Sequence, residues 1–127
     1  MIVFDTSAFM AVALDEPAAE ACSDVMARAE EIVVSAGTVA ETLIVAGRRN
    51  VSPAIERLIS GLGCQVVPVT EYDAFKVAEA YTQWGRGVHP AGLNCGDCFA
   101  YVLARQRACP LLFVGSDFAK TDVTRAF

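Results

Sequence analysis

Four carboxylates stand alone in the four most apolar stretches of this chain. Met1–Leu14 carries a single charge, Asp5, and Ile32–Gly47 carries only Glu41. Val88–Ala104 carries only Asp97, with His89 taken as neutral, and Ala108–Ala119 carries only Asp117. Burying an isolated carboxylate is costly, so such a group needs a partner. None of the four stretches supplies an Arg or Lys. One shared cation satisfies all four. Hard oxygen donors without a histidine cluster select Mg²⁺, with Mn²⁺ as a substitute, over Zn²⁺. The chemistry that suits such a cluster is metal-assisted phosphodiester hydrolysis, in which the metal holds the scissile phosphate and offsets charge on the leaving oxygen. Capping accounts for a single acid such as Asp117 ahead of Phe118, but it does not account for an acid in mid-helix such as Glu41.

The elements that must position these acids follow from apolar periodicity and from turn residues. Ile2–Asp5 reads as a short strand, followed by a helix over Thr6–Leu14 and a second helix opened by Pro17 and running to Glu31. Ile32–Ser35 is unbroken and β-branched, as in a strand buried on both faces. Ala36–Gly47 reads as a helix, and Ser52-Pro53 starts another that Gly61 and Gly63 stop. Gln65–Val69 is a third strand, and Pro68 puts it at an edge or a strand end. Glu71–Trp84 reads as a helix with Val77, Tyr81 and Trp84 on one face. After a loop over residues 85–92, Asn94–Arg107 reads as a helix burying Phe99, Val102 and Leu103. Leu111–Val114 is the last clear strand, and Gly115-Ser116-Asp117 turns out of it; a fifth strand has room only near Val123.

Strands alternating with helices imply an α/β fold, a parallel sheet of four or five strands covered by helices on both faces. In such sheets ligands bind at the carboxyl ends of the strands. Asp5 ends the first strand and Asp117 follows the last. Glu41 lies about 200° around its helix from Val39 and Leu43, and Asp97 about 200° from Phe99, so both sit off the expected buried stripe and face a cleft.

The 127 residues fit a single domain, 1–127, long enough to bury a real core, and the sequence has no repeat or linker. A 54% hydrophobic and 20% charged composition excludes a disordered chain. No apolar run reaches the ~20 residues that span a bilayer, and the start lacks a basic segment, so the expectation is a cytoplasmic protein without a membrane segment. Five cysteines, an odd number in apolar surroundings, read as reduced core thiols. The net charge of −5 argues against a broad basic nucleic-acid surface; basic contacts would come from Arg48, Arg49, Arg86 and Lys120.

Four segments, IVFDTSAFMAV, VSAGTVAETLIVAGRR, LNCGDCFAYVLAR and PLLFVGSDFAKTDV, together resemble the PIN-domain family, and within it the VapC-type toxins of toxin–antitoxin pairs. The resemblance implies a helix-covered parallel sheet and Mg²⁺-dependent endonucleolytic cleavage of RNA, restrained by a cognate antitoxin whose tail packs over the cleft. It also implies a homodimer. Asp5 and Asp97 match the family's principal metal ligands, and Glu41 and Asp117 its other two acids. Ser7 and Ser116 match small polar positions beside the metals, and Asn94 the asparagine that opens the Asp97 helix.

The rival reading is a non-catalytic PIN-like module that binds RNA or a protein partner; four buried acids argue against it, because a binder has no need of them. Cys95-Gly96-Asp97-Cys98 has the C-x-x-C spacing of redox motifs, but Asp97 between the thiols opposes thiolate formation. His89 reads as an ordinary loop histidine, Asp122 as a surface turn residue, and Tyr81 and Trp84 as core before base-stacking platforms. Asp5-Thr6-Ser7 lacks the second aspartate that aspartyl-nucleophile phosphatases need.

Overall fold

A computed structural model describes residues 1–127. Four parallel strands, β1 (Ile2–Phe4), β2 (Ile32–Ser35), β3 (Gln65–Val67) and β4 (Leu111–Leu112), form one sheet in the order β3-β2-β1-β4. Six helices connect them: α1 (Thr6–Ala13), α2 (Ala19–Arg28), α3 (Ala36–Arg48), α4 (Ser52–Leu62), α5 (Glu71–Trp84) and α6 (Cys95–Arg107). A 3₁₀ turn follows at Phe118–Lys120.

Strand side chains alternate between faces, and this alternation splits the core in two. Val3, Val33, Leu111 and Phe113 join Ala80 of α5 and Cys98, Val102 and Leu103 of α6. Phe4, Ile32, Val34 and Leu112 join Phe9 and Met10 of α1, Cys22 and Val25 of α2, Ala46 of α3 and Ile55 of α4. The expected α/β/α layering therefore holds. All four residues of β2 are buried, as an unbroken β-branched run requires.

β3 lies at one edge of the sheet, with Pro68 immediately past its end. Beyond β4, where the sequence left room for a fifth strand near Val123, there is only a single bridge between Leu111 and Arg125, held by the Leu111 N–H on Thr124 O at 2.9 Å and the Ala126 N–H on Leu111 O at 3.0 Å. That short tail covers the other edge of the sheet.

Several boundaries differ from the sequence expectation. α2 starts at Ala19 rather than at Pro17, because the chain turns first, with Asp15 at a positive φ of 50°, and it stops at Arg28, where Ala29 turns to extended backbone. β3 and β4 are shorter than the apolar runs containing them. Phe113 is fully buried without belonging to the ladder, so its apolar character reports burial rather than pairing. The buried residues of α3 are Thr38, Thr42 and Ala46, while Leu43 and Ile44 are exposed. Tyr81 is also exposed, unlike Val77 and Trp84, which pack on the core. Phe99 is only half-buried, its ring lying on Gly37 at the start of α3, where any Cβ would collide with it. That close approach sets the distance between α3 and α6, the two helices that carry Glu41 and Asp97.

Candidate active site

Asp5 sits where β1 ends and α1 begins. Its N–H still pairs with Leu112 O at 3.0 Å, and its side chain caps α1 by accepting the Ser7 N–H on Oδ2 at 3.0 Å. The Ser7 hydroxyl donates to the same Oδ2 at 2.6 Å and accepts the Val114 N–H at 2.9 Å, tying the carboxylate to the segment after β4. The other oxygen, Oδ1, is buried without any hydrogen-bond partner. A buried carboxylate oxygen left bare is costly and calls for an explanation.

Glu41 reaches the same place from α3. The Thr6 hydroxyl donates to Glu41 Oε1 at 2.6 Å, and the Thr42 hydroxyl stands 3.0 Å from Thr6 Oγ1 and 2.8 Å from Thr38 O. Its carboxylate end lies over Gly96, the residue before Asp97, in space that a Cβ on Gly96 would fill.

Asp97 occupies the first turn of α6 in a reciprocal capping box with Asn94. Its N–H donates to Asn94 Oδ1 at 2.8 Å, and its Oδ2 accepts the Asn94 N–H at 3.0 Å. Asn94 thus holds Asp97 in place through a named pair of bonds. Asp117 precedes the 3₁₀ turn but makes no side-chain capping bond, so capping does not account for it. It is exposed, as is Ser116, and neither lines the cleft wall that the others form. Asp117 is nevertheless near enough to bear on the charge of Asp97.

Asp5, Thr6, Ser7, Met10, Glu16, Glu41, Val45, Asn94, Asp97 and Val114 line one open cleft of about 380 Å³ at the carboxyl edge of the sheet. Burial pushes the Asp5 carboxyl up to about 7, against the lowering effect of its bonds from Ser7, and the charges of Asp97 and Glu41 add to the rise. Burial likewise raises Asp97 to about 6; its bond from Asn94 opposes this, Glu41 and Asp117 reinforce it, and Arg86 relieves it slightly. The carboxylates do not close around one point at ligand spacing. Bare oxygen, clustered like charges and an all-oxygen donor set are the features that a hard divalent cation relieves.

The PIN domain family model matches residues 2–123. The chain belongs to the PIN-domain family. Among its relatives, ribonuclease VapC28 of Mycobacterium tuberculosis is 43% identical over 129 residues, covering 98% of this chain and 97% of that protein. A ribonuclease VapC of Mycolicibacterium smegmatis is 39% identical over 125 residues, covering 96% of this chain and 97% of that protein. In fold the chain matches the crystal structure of the Mycobacterium tuberculosis sarcin-ricin loop cleaving toxin VapC20, with a TM-score of 0.82 at 15% identity over 99% of this chain and 98% of that one.

Within this PIN domain the other sequence candidates take structural places. His89 accepts the Ala91 N–H on Nδ1 at 3.0 Å and sets its ring edge-on to Trp84, closing the loop after α5. Asp122 accepts from the Tyr101 hydroxyl at 2.8 Å, and that hydroxyl accepts from Trp84 Nε1 at 2.9 Å; the trio fastens the C-terminal segment to α6. All five cysteines are free, but only Cys22 and Cys98 are fully buried, and Cys95 is exposed, so the expectation of core thiols throughout fails at Cys95. Burial, with Asp97 adding to it, pushes the Cys98 thiol up to about 12, which removes thiolate chemistry from the C-x-x-C spacing. Thr6, Thr42 and Gly96, and Glu16 on the cleft wall, were not among the sequence candidates. A signal for two of them exists: Asp5 and Glu41 are each followed directly by threonine.

Proposed function

We propose that this chain is a metal-dependent endoribonuclease, the toxin of a toxin–antitoxin pair, in which Asp5, Glu41, Asp97 and Asp117 hold Mg²⁺, or Mn²⁺ in its place. The observation that carries the reading is the buried, bare Oδ1 of Asp5 on a residue that lines one cleft together with Glu41 and Asp97, whose charges bear on it. When bound, the metal supplies Lewis-acid activation of water and neutralises charge on the scissile phosphate and the leaving oxygen. The chain's own residues do the positioning. Ser7 fixes Asp5, Thr6 fixes Glu41 and Asn94 fixes Asp97, each by a hydrogen bond given above. Arg86, close enough to Asp97 to offset its charge, supplies a cation to meet an incoming phosphate.

The solved structures similar in fold include a toxin–antitoxin complex from Klebsiella pneumoniae, with a TM-score of 0.68 at 17% identity over 96% of this chain. The partner in this reading is a cognate antitoxin that covers the cleft, and the toxin is a homodimer. No helix is long and apolar enough to cross a membrane, in keeping with a cytoplasmic site of action.

The decisive experiment is RNA cleavage by the purified chain with Mg²⁺, Mn²⁺, Zn²⁺ or excess EDTA. Cleavage with the first two alone is expected. Activity surviving EDTA ends the metal reading. Divalent-ion binding without cleavage of any RNA would favour the non-catalytic module.

A second expectation concerns the contact of Glu41 with Gly96. Gly96→Ala should fold, because the new Cβ meets only the end of a flexible side chain, and alanine is better by about 1 kcal/mol within a helix. The displaced Glu41 carboxylate should lower the cleavage rate by about 10- to 100-fold, the range seen when groups orienting a metal site are lost. A Gly96→Ala variant that melts normally and cleaves at the wild-type rate would remove Glu41 from the site.

A further inference from the structure

Glu41 is the one carboxylate of the cleft whose two oxygens are treated differently by neutral neighbours on separate elements. Oε1 accepts from the Thr6 hydroxyl at 2.6 Å, within the range of short, charge-assisted O–H···O⁻ bonds. A hydroxyl carries one proton. With the Thr6 proton committed to Glu41, the 3.0 Å contact between Thr42 and Thr6 has to use the Thr42 proton, which is shared with Thr38 O at 2.8 Å. The chain of hydroxyls therefore runs one way, from Thr42 to Thr6 to Glu41, and such chains strengthen each member. Thr6 and Thr42 are both buried, Thr42 completely, so neither hydroxyl turns away to water. On the other side, a Cβ at Gly96 would meet Oε2 first and Oε1 last, which makes Oε2 the oxygen turned towards Gly96 on α6.

We propose that Thr6 is a positioning residue that holds Glu41 to one available oxygen and thereby makes the cleft select a small octahedral ion over calcium. The inference rests on the metal reading above. Mg²⁺ demands near-ideal octahedral geometry at about 2.0–2.1 Å and takes single carboxylate oxygens, whereas Ca²⁺ accepts six to eight oxygens and binds carboxylates through both. A glutamate with one oxygen already engaged offers the first ion what it needs and denies the second its bidentate mode. Releasing Oε1 removes that discrimination. Asp5 and Asp97 each have one oxygen engaged as well, but there backbone N–H groups of their own helix starts share the work, with the Ser7 hydroxyl adding to the bond on Asp5, so Glu41 is the one of the three held by a side-chain hydroxyl alone.

Thr6→Val is nearly isosteric and leaves Thr42 its bond to Thr38 O, so the fold is retained; Thr6→Ala serves as a second variant should valine crowd the first turn of α1. Calorimetric titration of the metal-free protein with Mg²⁺ and with Ca²⁺ reads the effect without reference to activity. Both variants are expected to weaken Mg²⁺ by about 10-fold or more while Ca²⁺ is unchanged or tighter, so the ratio of the two dissociation constants moves by at least that factor. Thr6→Ser, which keeps the hydroxyl, is expected to restore the wild-type ratio. A wild-type ratio in Thr6→Val and Thr6→Ala, or a serine variant that behaves like valine, overturns the inference and leaves the metal reading standing. A wild-type protein that binds neither ion overturns both.

Discussion

Asp97→Asn is expected to reduce RNA cleavage by on the order of 10³-fold or more, comparable to losing a principal charge-stabilising group, while leaving the metal-free protein as stable as the wild type or more so. The two halves of this expectation come from the two jobs Asp97 does. As the third residue of a capping box it accepts the Asn94 N–H on Oδ2 and donates its own N–H to Asn94 Oδ1. Asparagine keeps a carbonyl oxygen for that bond, so the cap survives, with a loss of roughly 0.3–1 kcal/mol for the missing charge at a helix start. Against that loss stands the charge environment. Burial and the neighbouring Glu41 and Asp117 raise the Asp97 carboxyl to about 6, so at pH 8 it is ionised, but at a higher cost in the folded protein than in the unfolded chain. Removing the charge relieves that penalty, which after solvent screening is on the order of 1 kcal/mol.

With metal the sign reverses. The wild type gains RT ln(1 + [Mg²⁺]/Kd), ~2.7 kcal/mol at a hundredfold excess over Kd, and Asp97→Asn should lose most of it. Thermal melts of both proteins with and without Mg²⁺ make the comparison. A variant that melts lower without metal and keeps the full magnesium shift would show that the capping box is all Asp97 does.

The acids were legible in the sequence because a lone charge in an apolar stretch cannot be hidden by burial alone. Asp5, Glu41 and Asp97 meet at one cleft, and Asp117 stands near enough to act on Asp97 although it is exposed. The layering was legible too, since β2 is apolar on both faces and the helices alternate with strands. The route to Glu41 was not. The sequence placed Glu41 opposite a buried stripe through Val39 and Leu43, yet the buried residues of α3 are Thr38, Thr42 and Ala46 and the exposed ones are Leu43 and Ile44. Hydrophobic periodicity fails there because the start of α3 packs so tightly on α6 that Phe99 lies on a bare glycine, leaving room for small residues and hydroxyls only. The same crowding hid Thr6, Thr42 and Gly96, whose value lies in what they touch rather than in their polarity. Strand ends were misjudged for another reason. Residues such as Phe113 are buried by side-chain packing without pairing their backbone, and an apolar run does not distinguish the two.

The metal-free protein should lose stability as pH rises from about 4 to about 7, and Asp5→Asn should remove much of that loss. Asp5 carries the largest upward shift in the cleft, from 3.8 to about 7, and burial is its first cause. A carboxyl whose folded pKa lies above its unfolded value binds its proton more tightly when folded. Its contribution is therefore fully present below the unfolded value near 4 and is lost as pH passes the folded value near 7. A rise of about three units corresponds to ~4 kcal/mol, an upper bound because a mobile ionised side chain draws in water. Asparagine keeps an acceptor for the Ser7 bonds but carries no charge, so the variant should match the wild type near pH 4.5 and exceed it at pH 8. Other titrating groups act in both proteins, and the difference between them isolates Asp5. Metal binding runs the opposite way, because the ligand must give up its proton first. Magnesium should stabilise the wild type at pH 8, much less at pH 5.5, and the asparagine variant little at either. Urea melts at those pH values, with EDTA and with Mg²⁺, test both signs together. A wild-type minus variant difference that stays constant from pH 4.5 to 8 would mean that Asp5 is ionised in the fold throughout, already paired with a cation the protein itself supplies, and the case for an exogenous metal at its bare oxygen would fail.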